Sequence, residues 1–351
     1  MVKIGIMVNF VGKWYVFCVI LATQISIMKK IFLILLSVVL LTSCSNKKSK
    51  KLLISSSGRM NHALVVINND DWQGRVGDSI RKFLARDMVG LPQAEPVLHL
   101  NQIDPRNFSD FLRANRNIIF IKQGDKNTFV SRKNVYAKPQ YVAEIKGKTK
   151  DDIIKITKKH AEEIIKEIQK GDMAVFQKMH LSKNYYKPEN VVFFKENGVE
   201  MRVPYLYQKS HDDKEYVWFV RDIPEGYLNI LVYTLPITSP EDENGENIIK
   251  ARDEKGHYIP GDKEGMHILT EKNFTPEKIE TKLANLKTYE TRGNWYMTDD
   301  FMAGPFVNYT LVDKKNNRLI VAEGLVYAPN IKKRNYMFEL ESIIKTLKLK
   351  K

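Results

Sequence analysis

His257, Asp262, Glu264 and His267 put four metal-ligating side chains into one polar stretch, close enough in sequence to wrap an ion. Zinc sites use three or four ligands at short, regular spacings, steadied by a supporting hydrogen-bonded shell. The wide gap between these histidines, with no helix or hairpin period to fix it, favours an ordinary surface loop. His160 and Glu163 share a helix face, but two groups do not make a site. No metal and no cofactor is therefore expected. Ser79, in Gly77-Asp78-Ser79-Ile80, is the remaining nucleophile candidate. A catalytic serine needs a base to take its proton, whereas this one sits inside a helical apolar period well after the preceding strand. No Gly-x-Ser-x-Gly elbow and no His-Glu-x-x-His pair occurs in the chain. No catalytic residue is assigned.

The Gly77–Ile80 string resembles the nucleophile block of GDS-type esterases, but the Asp-x-x-His that partners it there is absent. Arg292, Trp295, Asp300 and Arg334 make a different kind of set, charged and aromatic residues near strand ends and a Gly304-Pro305 turn. Such residues suit a ligand or partner surface; the competing reading is a structural ion pair and a core tryptophan. Asp71 and Trp72 carry the same two readings, as part of that surface or as helix cap and core anchor.

Cys44 has the clearest chemistry. Met28-Lys29-Lys30 is followed by the apolar run Ile31–Leu41, 11 residues long, and then by Leu41-Thr42-Ser43-Cys44. A secretory signal has a positive start, an apolar core of about 7–15 residues and small residues at the cut. This core is too short to span a bilayer, which takes roughly 20 residues. The pattern resembles the lipobox of bacterial lipoproteins, which implies acylation of the Cys44 sulfur and cleavage before it. An ordinary signal with an incidental cysteine is the alternative. Residues 1–27 fit neither: Val2–Ile27 is mostly apolar, is interrupted by Lys13, and meets the signal across Lys29-Lys30 alone. They read as an overextended start, with a genuine N-terminal membrane helix as the alternative.

Cleavage leaves 307 of the 351 residues, enough for one large or two medium domains. Four of the 56 basic residues and none of the 41 acidic ones precede the cut, so the remainder carries 52 against 41, a net +11. Export removes nucleic acid as a partner, and the charge reads as solvated surface. Lys47, Lys48, Lys50 and Lys51 lie directly beside the anchor, where each lysine contributes about 1 kcal/mol against an anionic leaflet. A disordered soluble tether explains them equally well. Cys18 and Cys44 are the only cysteines, so the mature body holds no disulfide.

The elements that would position these residues alternate first as strand and helix. Ala63–Ile67 reads as a buried strand, Asn68–Asp71 as a cap, and Trp72, Val76, Ile80, Phe83 and Leu84 as a helix that Gly90–Pro96 breaks. Strands at Val97–Leu100 and Ile118–Ile121 flank a short helix near Phe108–Leu112, and Thr128–Ile145 holds two more strands. Thr149 and Asp152 open a long amphipathic helix that Gly171 interrupts or ends. Beyond Ser182–Glu189 the expectation is strands at Val191–Lys195, Val199–Tyr207, Tyr216–Val220 and Leu228–Leu235. A surface excursion at Pro240–Gly265 and a helix from Thr275-Pro276 follow. After a strand at Tyr289–Met297 and a hairpin of Phe306–Val312 with Leu319–Tyr327, Met337, Leu340, Ile343, Ile344 and Leu347 stripe a last helix.

With these stretches in place the chain resembles the lipoprotein family catalogued as domain of unknown function 4837. The matching strings are Asp71-Trp72-Gln73-Gly74 with Gly77, Gly90-Leu91-Pro92-Gln93-Ala94-Glu95-Pro96 and Arg116-Asn117-Ile118-Ile119. Further on they are Arg252-Asp253, Ile259-Pro260-Gly261, Arg292-Gly293-Asn294-Trp295, Asp300–Phe306, Gly324–Pro329 and Lys333-Arg334. Asn294 stands where a larger apolar residue is usual and Ala303 where glycine is. The resemblance implies an address and no assigned activity.

The expected fold is α+β, two α/β sandwich-like halves with mixed sheets, preceded by a cleaved lipoprotein signal. The divisions are an extension at 1–27, the signal and lipobox at 28–44, a basic tether at 45–58, an N-terminal α/β domain at 59–181 and a C-terminal α+β domain at 182–351. The expected role is a non-catalytic binding or assembly factor, held in the membrane by lipid at Cys44 and contacting envelope proteins. The alternative is an envelope hydrolase acting on glycan or lipid through an unrecognised active site. Ser45 after the cysteine fits transfer to the outer membrane by the rule known for enteric bacteria, facing the periplasm; inner membrane or cell surface are the alternatives.

Overall fold

A computed structural model of the protein describes residues 52–350, together with Gln24 and Met28. The lipobox Leu41–Cys44 and the tether lysines Lys47, Lys48, Lys50 and Lys51 lie outside them. The strands of the first half are β1 (Ile54–Ser55), β2 (His62–Val66), β3 (His99–Ile103), β4 (Asn117–Gln123), β5 (Thr128–Lys133), β6 (Ala137–Lys138) and β7 (Tyr141–Gly147). Its helices are α1 (Asn69–Gln73), α2 (Arg75–Leu84), α3 (Asp110–Arg113) and α4 (Lys150–His180). The main sheet runs β3-β2-β4-β7-β5, parallel except for β5 at the edge. β2 reads His-Ala-Leu-Val-Val, almost continuously apolar, as a strand covered on both faces must be. Val65, Ile119 and Ile145 meet α2 and α4 on one face, and Leu64, Ile118 and Val142 meet Phe108, Leu112 and Tyr136 on the other.

The body begins earlier than residue 59. β1 pairs with β6, and the Ser57 amide donates to the Ala114 carbonyl at 2.8 Å. Thr149 and Asp152 form the expected capping box at the start of α4. The helix does not stop at Gly171 but runs to His180. A glycine costs roughly 1 kcal/mol in a helix interior. The next residue, Asp172, is fully buried and offsets that cost by accepting from the Asn61 amide at 2.6 Å and from Arg116 Nε at 2.5 Å.

The second half holds β8 (Val199–Glu200), β9 (Gln208–Asp212), β10 (Tyr216–Ile223), β11 (Gly226–Pro236), β12 (Ile268–Thr270), β13 (Glu277–Leu283), β14 (Leu286–Met297), β15 (Ala303–Asp313), β16 (Arg318–Tyr327) and β17 (Lys348–Leu349). Its helices are α5 (Val192–Asn197), α6 (Pro240–Glu243), α7 (Ile248–Glu254) and α8 (Arg334–Ile344). Strands β12-β14-β15-β16-β11-β10-β9 form one antiparallel sheet, with β13 also on β14. The apolar stripe of α8 lies against Val307, Tyr309, Leu311, Ile320 and Ala322.

Of the strand expected at Val199–Tyr207 only Val199–Glu200 forms, and three further expectations fail here. Val191–Lys195 is not a strand but the start of α5, because Asp212 accepts from the Val192 and Phe193 amides at 2.9 and 3.0 Å and caps the helix from a distant strand. A short apolar run such as Val191–Phe194 has no period that separates helix from strand. The segment after Pro276 is not a helix but β13, turned back onto β14 by Ala284 and Asn285, both at positive φ as a two-residue hairpin turn requires. Pro240–Gly265 is not a surface excursion. Tyr258 and Ile259, with Met266 just beyond, cover the sheet face opposite α8 around Trp295 and Phe306, and Ile248 packs with Tyr289, Val312 and Leu319.

Candidate functional site

Strand periodicity puts the even-numbered residues of β14 on the α8 side of the sheet, so Glu290 and Arg292 face that helix while Trp295 points to the other core. Arg292 donates through Nε to Glu290 at 2.7 Å and through Nη2 to Glu341 of α8 at 2.8 Å. The Tyr309 hydroxyl bridges the same two carboxylates at 2.9 and 3.1 Å, and Lys345, one turn beyond Glu341, closes the group at 2.5 Å. Burial pushes the Glu341 carboxyl up, but Arg292 and Lys345 overcome it and hold the group well below the usual carboxylate range. Burial, then the two carboxylates, keep the Tyr309 hydroxyl protonated far above the usual tyrosine range. Neither group therefore exchanges a proton near neutrality, which is what general acid–base work requires.

The network forms one wall of a cleft of about 240 Å³. Glu277, Ile279, Glu290, Arg292 and Glu341 come from the second half; Arg86, Met88, Val89, Val97 and Gln169 come from the first. Arg86 is tied to Glu162 at 2.9 Å. Arg292 Nη1 has no hydrogen-bond partner among the described residues.

The Gly90–Pro96 loop holds the seam beside the cleft. Gly90, at φ +81°, lies so close to β14 that a Cβ there would come within 2.9 Å of Arg292 Cβ. Glu95 accepts from the Lys333 and Arg334 amides at 2.6 and 3.2 Å, an anion at the positive end of α8. Arg334 returns a bond from Nη1 to the Pro96 carbonyl at 2.9 Å.

The candidate surface residues do not converge. Arg292 and Arg334 both lie at this seam. Trp295 is buried among the residues of the opposite core, and Asp300 is exposed, with its carboxylate on the Phe301 amide. Asp71 is buried at the start of α1 with Lys150 at 2.7 Å, and Trp72 lies half-buried under the Arg81 guanidinium at 4.6 Å. Ser79 is in the middle of α2. His257 and His267 each contact a backbone carbonyl through Nδ1, those of Glu254 and Gly265. Among the described residues no three His, Cys, Asp or Glu groups converge as metal ligands.

Glu290, Tyr309 and Glu341 went unnoticed in the sequence. Glu341 left a signal, since it falls four residues after Met337 on the apolar stripe of α8, where an acid needs a buried partner. Glu290 and Tyr309 left none, being separated in sequence from what they bind.

Residues 187–346 match the family model described as Domain of unknown function (DUF4837), and residues 56–180 match a second, Domain of unknown function (DUF8532). The strings from Asp71 to Ile119 thus fall under the second model. Residues 28–45 match the prokaryotic membrane lipoprotein lipid attachment site. No curated protein sequence matches the chain. Among solved structures, the Ran-binding protein Mog1p of Saccharomyces cerevisiae is similar at TM-score 0.30 and 9% identity, over 43% of this chain and 90% of that one. LpqN of Mycobacterium tuberculosis, involved in cell envelope biogenesis, is similar at 0.29 and 12%, over 44% of this chain and 83% of that one. At such scores neither bears on function.

Proposed function

For a bacterial lipoprotein whose residues 187–346 are a DUF4837 domain, we propose a non-catalytic binding role in the envelope, exercised through the cleft between its two halves. The protein is membrane-anchored through lipid. The proposal adds that the outer membrane holds it, that the body faces the periplasm, and that the partner is an envelope protein. The two halves, divided at residue 182, are two domains acting as one body.

One observation carries the reading. Four groups at the cleft wall are closed upon one another, Arg292 between Glu290 and Glu341 with Tyr309 across both. Such a wall recognises shape and hydrogen bonds, and neither Glu341 nor Tyr309 on it exchanges a proton near neutrality. Met88, Val89 and Ile279 supply apolar surface, and a volume of about 240 Å³ suits one inserted side chain or loop tip.

The test is a photo-crosslinking amino acid at Val89, which lines the cleft, and another at the exposed Lys126 turn, used in intact cells. The reading expects one envelope protein captured from Val89, none from Lys126, and loss of capture with Ile279→Glu. Turnover of envelope glycan or lipid by the purified protein, abolished by Tyr309→Phe, would overturn it in favour of a hydrolase.

A further inference from the structure

Where the tether meets the body is fixed by hydrogen bonds. Ile54 of β1 lies beside Ala137, and Ser57 exchanges backbone bonds with Ala114 and Arg116, both at 2.8 Å. Arg116 also donates from Nη2 to the Gly58 carbonyl at 2.8 Å. The parallel strands β2, β4 and β7 start at His62, Asn117 and Tyr141, so the chain arrives at the N-terminal end of the sheet.

At the same end a large aromatic side chain is left in solvent. Phe111 is 84% exposed and sits one helical turn before Ala114, whose carbonyl receives Ser57. Its neighbourhood is braced: the Arg113 guanidinium lies 5.6 Å from the Tyr136 ring and 5.9 Å from the Phe108 ring and pairs with Asp110 at 2.6 Å. Ile54 is 60% exposed, and Lys138, next to Ser55 across the β1–β6 pair, is exposed. A lone exposed apolar residue is normal on a protein surface. What singles out this one is its place beside the end of a lipid tether.

We infer that Phe111 and Ile54 form the face that rests on the bilayer holding the acyl chains, with Phe111 at headgroup depth and Lys138 and Arg113 toward anionic phosphates. The inference rests on acylation of Cys44. Ile54 lies ten residue steps beyond Cys44, a reach of at most about 35 Å at ~3.5 Å per step, so the surface around β1 is the part the anchor keeps nearest to lipid. An acyl chain joined to a second weak membrane contact holds far better than either alone. With this face down, the C-terminal ends of β2, β4 and β7 point away from the bilayer.

The test uses the lipidated protein in vesicles of phosphatidylethanolamine and phosphatidylglycerol. Phe111→Cys and, separately, Phe274→Cys (60% exposed, in the second half) are labelled with the fluorophore NBD. An acylated Cys44 takes no label, and no other cysteine lies in the mature chain. The label at 111 is expected to shift to the blue, to be quenched by a lipid-borne nitroxide, and to show a several-fold smaller iodide quenching constant than the label at 274. Equal iodide access at the two positions, with the protein floating with the vesicles, overturns the face and leaves the anchor standing. Failure to float overturns both.

Discussion

Asp172 Oδ1 lies 2.5 Å from Arg116 Nε, both side chains are buried, and the pair joins the long helix α4 to the residue just before β4, which itself bonds the entering chain at Ser57 and Gly58. Asp172 also receives the Asn61 amide and, at longer range, the Asn117 side chain. Burial pushes its carboxyl above the usual range, against the pull of Arg116. The ion pair thus spends part of its attraction on desolvation, and its worth lies in fixing how β1, β4 and α4 meet.

Removing one partner should be costly. Arg116→Met leaves a buried carboxylate without its cation, an expected loss of about 3–5 kcal/mol, read from the urea midpoint. A loss below 1 kcal/mol would show that the joint is held by the backbone bonds of Ser57 alone.

Gly304 marks a tight approach. A Cβ there would lie 1.9 Å from the Val326 carbonyl oxygen on the neighbouring strand. Gly304→Ala should cost about 3 kcal/mol by overpacking, while Ala303→Gly, at an exposed position, should change stability by only about 0.5 kcal/mol. Thermal unfolding of the two variants separates them.

Stability should fall with pH in two stages. Burial, then His99, Arg334 and Arg59, lower the His62 pKa from 6.5 to about 4. The unfolded chain therefore takes up that proton first, and the associated stability is full above pH 6.5 and lost as pH falls to about 4. The Glu341 carboxyl is held well below its unfolded value, which lies near ~4.3, so its contribution is full above that value and drains below it. Urea midpoints against pH should lose the first stage in His62→Gln and flatten below pH ~4.3 in Glu341→Gln. An unchanged slope in either variant would contradict the assignment.

What could be read from the sequence was what short-range physics decides. Thr149 and Asp152 cap α4 within one turn, and the stripe from Met337 to Leu347 needs only its own period to announce α8. The Phe306–Tyr327 hairpin followed from two apolar runs around a polar turn, and it is present as β15 and β16. What could not be read depended on partners far along the chain. Asp212 turns Val192–Asn197 into a helix, and Arg252 is buried because Glu323 waits for it at 2.9 Å. The cleft was illegible for the same reason: Val89, Gln169, Ile279 and Glu341 meet only after both halves have folded. Of the surface residues singled out beforehand, Arg292 and Arg334 reached the seam, whereas Trp295 faced the other core because β14 alternates.

The proposed placement of the cleft and of the Phe111 face relative to lipid depends on one covalent bond. The most direct measurement is intact mass spectrometry of the protein purified from membranes, followed by sequencing of its N-terminal peptide. The account predicts a chain beginning at Cys44 and carrying the mass of its acyl groups on that residue. A chain that retains residues before Cys44, or that carries a free Cys44 thiol, would contradict it.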